Sequence, residues 1–406
     1  MAELEVDAQE LAAYDYLLTP AAVRDRAGAI LEAARHGTLA HFRCSETLLP
    51  AIAERVIAVT RQLYPDPRAI PYHGRYRHFD VGGVPRLAQF LGSLEGSSNE
   101  EKLRAKSELV ITSVLLDAGA GPTWQYREGE QTFARSEGLA VASFHLFLSG
   151  ALSSDGSVRA DAEGLGRFDA VALARAFQVT PENPLTGLEG RAHLLARLGE
   201  VVRSTPAYFE SESPRLGDLA VGLLRSASAG KLRASAVLSA VLRALGPIWP
   251  GREILAKKPL GDVWRHERFG LVPFHKLSQW LSYSLLEPLE AAGLVIEGTG
   301  ELTGLPEYRN GGLFLDGGVL ELKDPSASSV AHPVDSELVI EWRALTVALL
   351  DALATEVQTK LGLSPEELPL ARVLEGGSWR AGRLLAREKR SDGGPPLQIQ
   401  SDGTVF

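Results

Sequence analysis

Cysteine is almost missing from this chain. Cys44 is the only one among 406 residues, which excludes disulfides within the chain and metal clusters built on several thiolates. There is no HExxH, and the nine histidines are scattered without ligand spacing, so no metal and no cofactor is expected. The chain also lacks a GxxxxGK(S/T) phosphate loop, a GxGxxG after a strand, a GxSxG elbow and any internal repeat. No apolar segment reaches the length that spans a bilayer. The acidic start MAELEVDAQELAAYDYLL has neither the basic residues nor the apolar run of a signal peptide, which makes the cytoplasm the expected location. Positive charge is in deficit. The net charge of −9 argues against a nucleic-acid or anionic-membrane surface, so an anionic ligand needs a local basic cluster.

A hydrophobic share of 45% and a charged share of 23% describe an ordinary globular chain, long enough to bury a substantial core. Strand signals are sparse and helical spacing is common, so the expected fold is mainly α, one large helical unit over 1–406. The Gly-rich stretch 150–166 divides it into candidate lobes 1–150 and 167–390, and residues 391–406, with SDGG, PP and SDG, read as a loose tail. In the C-terminal third, 294–297 and 313–320 are expected to pair as a small β-hairpin or sheet.

Helical spacing covers 20–35 and 45–64, with Ser45 a candidate N-cap for the second. It covers 99–119 as well, which puts Asp117 in the last turn, where the helix dipole disfavours an anion by about 0.3–1 kcal/mol. A basic partner or a functional need should compensate. In ARSEGLAVASFHLFLSG, Ser136 can cap and Glu137 lies in the first turn, a place that suits a capping carboxylate as well as a catalytic one. The helix 337–358 is apolar on nearly every side, so Glu341 and Arg343 point into protein, and each requires a partner or a ligand.

The stretch 261–293, GDVWRHERFGLVPFHKLSQWLSYSLLEPLEAAG, reads as a loop and then a helix over about 274–292. Pro273 suits the first position, Gly293 the residue past the end, and Pro288 lies in the last turn. Leu277, Leu281, Leu285 and Pro288 form its core face. His275, Ser278, Gln279 and Ser282 make an uncharged polar stripe, and Lys276, Trp280, Tyr283 and Glu287 a second one. Such faces suit the wall of a polar cleft for a small hydroxylated ligand, or a buried helix bonded to neighbouring segments. Asp262 in the preceding loop is placed for chemistry, or equally for a salt bridge from Arg265 or Lys276.

PYHGRYRHF, residues 71–79, packs His73, Arg75, Arg77 and His78 among aromatic rings. It reads as an anion-recognition loop, a short strand with basic edges, or arginines paired with acidic neighbours. In LTGLPEYRNGG, 302–312, Glu307 and Arg309 flank Tyr308. The glycine-containing turn in NPLTGLEGR, 183–191, either binds an anion or joins two segments.

Taken with SVLLDAGAG at 113–121, RSEGLAVASF at 135–144, PFHKLSQWLSYSLLEP at 273–288 and HPVDSELVIEWRALTVALLD at 332–351, these motifs resemble one family. It is the Urc/Urg type of the reductive-independent uracil catabolism route in fungi and bacteria, long catalogued as a domain of unknown function. The match is collinear over most of the chain; Tyr76 stands where the family carries Trp. The resemblance implies a step after the pyrimidine ring is opened, acting on a small phosphorylated riboside of the ribosylurea type. A weaker likeness, centred on HKLSQWLSYSLLEPL, is to glycosylases that salvage queuosine nucleotides, which in turn resemble helix-hairpin-helix DNA glycosylases.

The expected activity is therefore hydrolysis of an N-glycosidic bond to give urea and ribose phosphate. The alternatives are a non-catalytic binding protein for the intermediate and a hydrolase of the ureido amide. Breaking a C1′–N bond develops oxocarbenium charge that a carboxylate stabilises, and urea departs more easily with a proton donor. Asp262 and Glu341 lead the catalytic candidates, with Asp117 and Glu137 behind them. Arg75, Arg77 and His78, with Lys276 and Arg309, are candidates for the phosphate; Trp280, Tyr283 and Tyr308 for the sugar or urea; His275 and Gln279 for the polar wall.

Overall fold

The helix Pro20–Arg35 shows how local signals become structure: the Thr19 hydroxyl accepts from the Ala22 N–H, Pro20 takes the first turn, and the apolar residues fall on one buried face. The computed structural model describes residues 7–249 and 252–400. Among the described residues most elements are helices and the strands form only two-stranded pairs, so the fold is mainly α. Among the described residues no helix is long and apolar enough to cross a membrane.

The described chain forms two compact units, interleaved in sequence. One takes 7–73, 252–279 and 298–400, the other 74–249 and 280–297. The division falls within the helix Lys276–Ala291, after Gln279.

In the first unit the central element is Glu337–Leu361, buried on nearly every side and ended by Gly362, whose φ of 66° suits the residue past a helix end. Pro20–Arg35, Leu49–Leu63 and Tyr308–Asp316 pack on it. Its buried Leu338, Ile340, Leu345, Leu349 and Leu350 each contribute about 1.5–3 kcal/mol of hydrophobic stabilisation. Val263–His266 and Gly270–Pro273 make an antiparallel hairpin, Phe42–Cys44 pairs with Leu320–Leu322, and Ala331–Pro333 runs parallel to Gln398–Gln400.

The second unit is built around Asn99–Leu115, capped by the Ser98 hydroxyl and packed on Arg135–Leu148 and Asp218–Ser226. Gln125–Glu128 and Gln131–Ala134 form a hairpin, and Leu188–Ser204 closes on Ala162–Gly166 because a Cβ at Gly199 would lie 2.4 Å from the Gly166 nitrogen.

Several boundaries differ from the sequence reading. Stretches 294–297 and 313–320 do not pair: Val295–Glu297 runs parallel to Lys231–Arg233, while residues 313–316 finish the helix Tyr308–Asp316. The apolar run there is one face of a helix, and a period of two cannot be told from 3.6 over so few residues. Ser45 precedes a 3₁₀ turn, Glu46–Leu48, and makes no side-chain cap. The 99–119 helix ends at Leu115, so Asp117 lies just beyond it. Pro273 belongs to the hairpin, opposite Val263, which delays the start of the next helix to Lys276.

Candidate functional site

In the first unit, Asp262 is an anchor. Its Oδ1 accepts from Trp264 Nε1 (2.7 Å) and Arg343 Nη1 (2.8 Å), and its Oδ2 accepts from the Lys276 N–H (2.9 Å) and Arg343 Nη2 (2.8 Å). A carboxylate offers about four acceptor directions, and protein donors take all four. Burial pushes this carboxyl upward, but the Arg343 charge and the donated hydrogen bonds outweigh it and hold it well below the usual carboxylate range. The salt bridge foreseen from Arg265 or Lys276 comes from Arg343, and Arg265 pairs with Glu253.

This anchor shapes the next turn. The Asp262 carbonyl accepts from the N–H groups of Phe274 (2.9 Å) and His275 (3.3 Å), and His275 takes a φ of 50°, a left-handed backbone that a non-glycine residue adopts at a cost of order 1–3 kcal/mol. The His275 ring is buried and faces the Leu17 carbonyl through Nε2 at 2.8 Å. A carbonyl only accepts, so Nε2 carries the proton and Nδ1 is a bare acceptor. Burial lowers the ring's pKa and keeps it neutral. One turn on, Gln279 Oε1 accepts from the Thr303 N–H (3.3 Å), which fixes Nε2 as the donor end. Neither His275 Nδ1 nor Gln279 Nε2 has a hydrogen-bond partner, and both are buried. The Gln279 N–H donates to the His275 carbonyl (2.8 Å), which sets the two residues one turn apart.

Glu341 lies elsewhere. Its carboxyl is fully buried and accepts from the Ala40 (3.1 Å) and His41 (2.9 Å) N–H groups, with His266 Nε2 at 3.7 Å. Burial pushes its pKa up to about 7. Arg343, two residues on, faces Asp262 from the other side of the helix, and Asp262 and His266 are separated by a strand of about 13 Å. The two leading carboxylates therefore do not share a chamber.

Arg309 is 5% exposed, with its guanidinium 4.9 Å from the Tyr308 ring centroid and 4.7 Å from that of Trp379. Lys276 is half-buried.

In the second unit the basic loop becomes a one-turn helix, Tyr76–Phe79. Arg75 is fully buried: Nε donates to Ser113 (2.7 Å), and Nη1 meets Asp117 (3.0 Å) and the Ser136 hydroxyl (3.2 Å), while Nη2 has no partner. Ser136 Oγ lies 2.8 Å from both Asp117 oxygens, so it serves Asp117 rather than the helix Arg135–Leu148. Arg75 thus supplies the basic partner that Asp117 required. Arg191 secures the same turn through the carbonyls of Leu116, Ala118 and Gly119. Glu137 is half-buried in the helix's first turn, beside Arg135 with a φ of 54°.

The remainder of the Lys276–Ala291 helix meets this loop within the second unit. The Arg75 N–H donates to Ser284 Oγ (2.9 Å), and its guanidinium is 5.5 Å from the Trp280 ring. Arg77 pairs with Glu287, and His78 stands edge-on to Trp280 at 6.0 Å. Tyr283 is fully buried. Both arginines therefore follow the third of the open readings, pairing with acids.

A pair missed in the sequence is His73 and Glu375 in the first unit, joined at 2.8 Å through Nδ1, with Tyr64 also donating to Glu375. Glu375 lies in a π-helical turn, Leu374–Ser378, a feature that recurs at functional sites. The two glycines that follow it were the available signal: a Cβ at Gly377 would be 2.5 Å from the Val56 oxygen.

Fold and side chains together define a mainly α-helical protein of two compact units, with buried polar atoms at His275, Gln279 and Arg309 of the first that have no hydrogen-bond partner. The chain belongs to the family described as protein of unknown function (DUF1688), whose model matches residues 16–406. It is 40% identical over 400 residues to Protein urg3 of Schizosaccharomyces pombe, covering 96% of this chain and 98% of that protein. It is 38% identical over 408 residues to Uracil catabolism protein 4 of Lachancea kluyveri, covering 90% of this chain and 92% of that one. The resemblance carried by the motifs is thus a family relationship along nearly the whole chain.

Proposed function

We propose that this protein acts in uracil catabolism, hydrolysing the N-glycosidic bond of a ribosylurea-type intermediate, as its 5′-phosphate, to urea and ribose phosphate. The name of the Lachancea kluyveri relative supports the place in metabolism. The observation that carries the substrate is the pair His275 Nδ1 and Gln279 Nε2, a neutral acceptor and a neutral donor, both buried and uncommitted. A ureido group offers the complement, an N–H that donates and a carbonyl that accepts, with no charge to desolvate. Leaving both atoms unpaired costs roughly 1–3 kcal/mol each, which a bound ureido group would offset.

In the reaction, the C1′–N bond breaks, a water oxygen bonds to C1′, one water hydrogen passes to the departing urea nitrogen and the other stays as the new hydroxyl. Asp262, with every acceptor direction used, is a positioning residue that holds the His275 turn. Of the other carboxyl candidates Glu341 shares the first unit with this pair; Glu341→Gln under single-turnover conditions tests it as the acid, its loss stopping urea release with binding intact.

Incubation with ribosylurea and with its 5′-phosphate tests the reading. Intact urea is the expected product. Ammonia and carbon dioxide in its place would show cleavage of the ureido amide, and uridine competing as well as ribosylurea would show that the pair reads a closed pyrimidine ring.

A further inference from the structure

We propose that Arg309 is the receptor for a phosphomonoester dianion. Buried arginines elsewhere among the described residues have their charge answered: Arg75 by Asp117, Arg86 by Glu128, Arg343 by Asp262, and Arg191 by backbone carbonyls. Arg309 is the exception. It is 5% exposed, its Nη1 is buried with no hydrogen-bond partner, and among the described residues no carboxylate lies within ion-pair reach and no acceptor takes a hydrogen bond from its guanidinium.

The nearest acid in sequence is already spent. Glu307 caps the helix Tyr308–Asp316, accepting from the Arg309 (2.9 Å) and Asn310 (2.6 Å) N–H groups. Asn310 is locked in turn by the Leu305 carbonyl (3.2 Å) and by the Ser378 hydroxyl, which donates to its Oδ1 (3.1 Å). The rings of Tyr308 and Trp379 replace water around the guanidinium without neutralising it. Trp379 is brought there by a glycine: a Cβ at Gly382 would lie 2.2 Å from the Arg309 carbonyl oxygen, so only glycine lets the Trp379–Lys389 helix come so near. Trp379, three residues earlier, then lies on the same helix face.

A planar guanidinium with aromatic support keeps its edge for two-toothed contact with an oxyanion. Arg383 stands 5.8 Å from the same Trp379 ring. Identifying that dianion with the 5′-phosphate of the substrate rests on the ribosylurea reading; the receptor itself does not.

Calorimetry on the full chain with inorganic phosphate, ribose 5-phosphate and ribose separates the two. Wild type should bind ribose 5-phosphate at least tenfold tighter than ribose, and inorganic phosphate should compete. Arg309→Met, which keeps a stackable stem, should abolish that preference; Arg309→Lys, which keeps the charge and loses the fork, should weaken it severalfold. A preference unchanged in the folded Met variant overturns the proposal. If that variant does not fold, an unchanged preference in the Lys variant overturns it, and so does a wild type that shows none. Should phosphate binding follow Arg309 while no urea is ever released, the receptor stands and the ribosidase reading falls.

Discussion

Asp262 and Arg343 form a two-toothed ion pair with both contacts at 2.8 Å, and that pair sets the backbone from which His275 projects. Asp262→Asn should destabilise the protein by about 3 kcal/mol, because the Arg343 charge is left buried without its counter-ion. In guanidinium chloride titrations the wild type should also lose stability as pH falls. The folded carboxyl titrates below its ordinary 3.8, so its contribution is complete above that value and drains away beneath it. The Asn variant should lose less over the same range. An equal loss in both would remove Asp262 from the account of the turn.

Glu341 gives the opposite sign. Its carboxyl is pushed from 4.5 up to about 7, so between those values the folded protein keeps a proton that the unfolded chain has released. Stability should therefore decline as pH rises through that window, by an amount on the order of 2 kcal/mol. Glu341→Gln should flatten the decline, at a cost of about 1 kcal/mol for the amide that now faces a backbone N–H. Melting curves at pH 5 and pH 8 decide it; the same difference in variant and wild type would refute the assignment.

Gln279→Glu exchanges the uncommitted donor for an acceptor while the Thr303 contact is retained. The KM for the ureido substrate should rise roughly tenfold or more, with the fold intact by circular dichroism. An unchanged KM would mean that the substrate does not use this atom.

Gly382→Ala places a methyl group where the Arg309 carbonyl oxygen stands. The helix must move, costing about 1–3 kcal/mol, and the preference for ribose 5-phosphate over ribose should shrink along with the displaced Trp379. Thermal melts and calorimetry on the same sample would show both effects together, or neither.

Helical spacing made most of the architecture legible, and so was the apolar circumference of Glu337–Leu361, from which the need for partners at Glu341 and Arg343 followed. Local chemistry also marked His275, Gln279 and Arg309. The partners themselves were hidden, because pairings such as Arg343 with Asp262 or His73 with Glu375 join segments far apart in the chain, and side-chain type does not encode which distant acid a base will meet. Strand pairing failed for the same reason: Val295–Glu297 and Leu320–Leu322 each found a partner outside the C-terminal third. The catalytic ranking shifted too, since only geometry shows that Asp262 has no acceptor direction left.

The most direct measurement is mass analysis of the products after purified protein is incubated with ribosylurea 5′-phosphate. Urea and ribose 5-phosphate formed in equal amounts is the result this account requires. Unchanged substrate, or ammonia in place of intact urea, would contradict it.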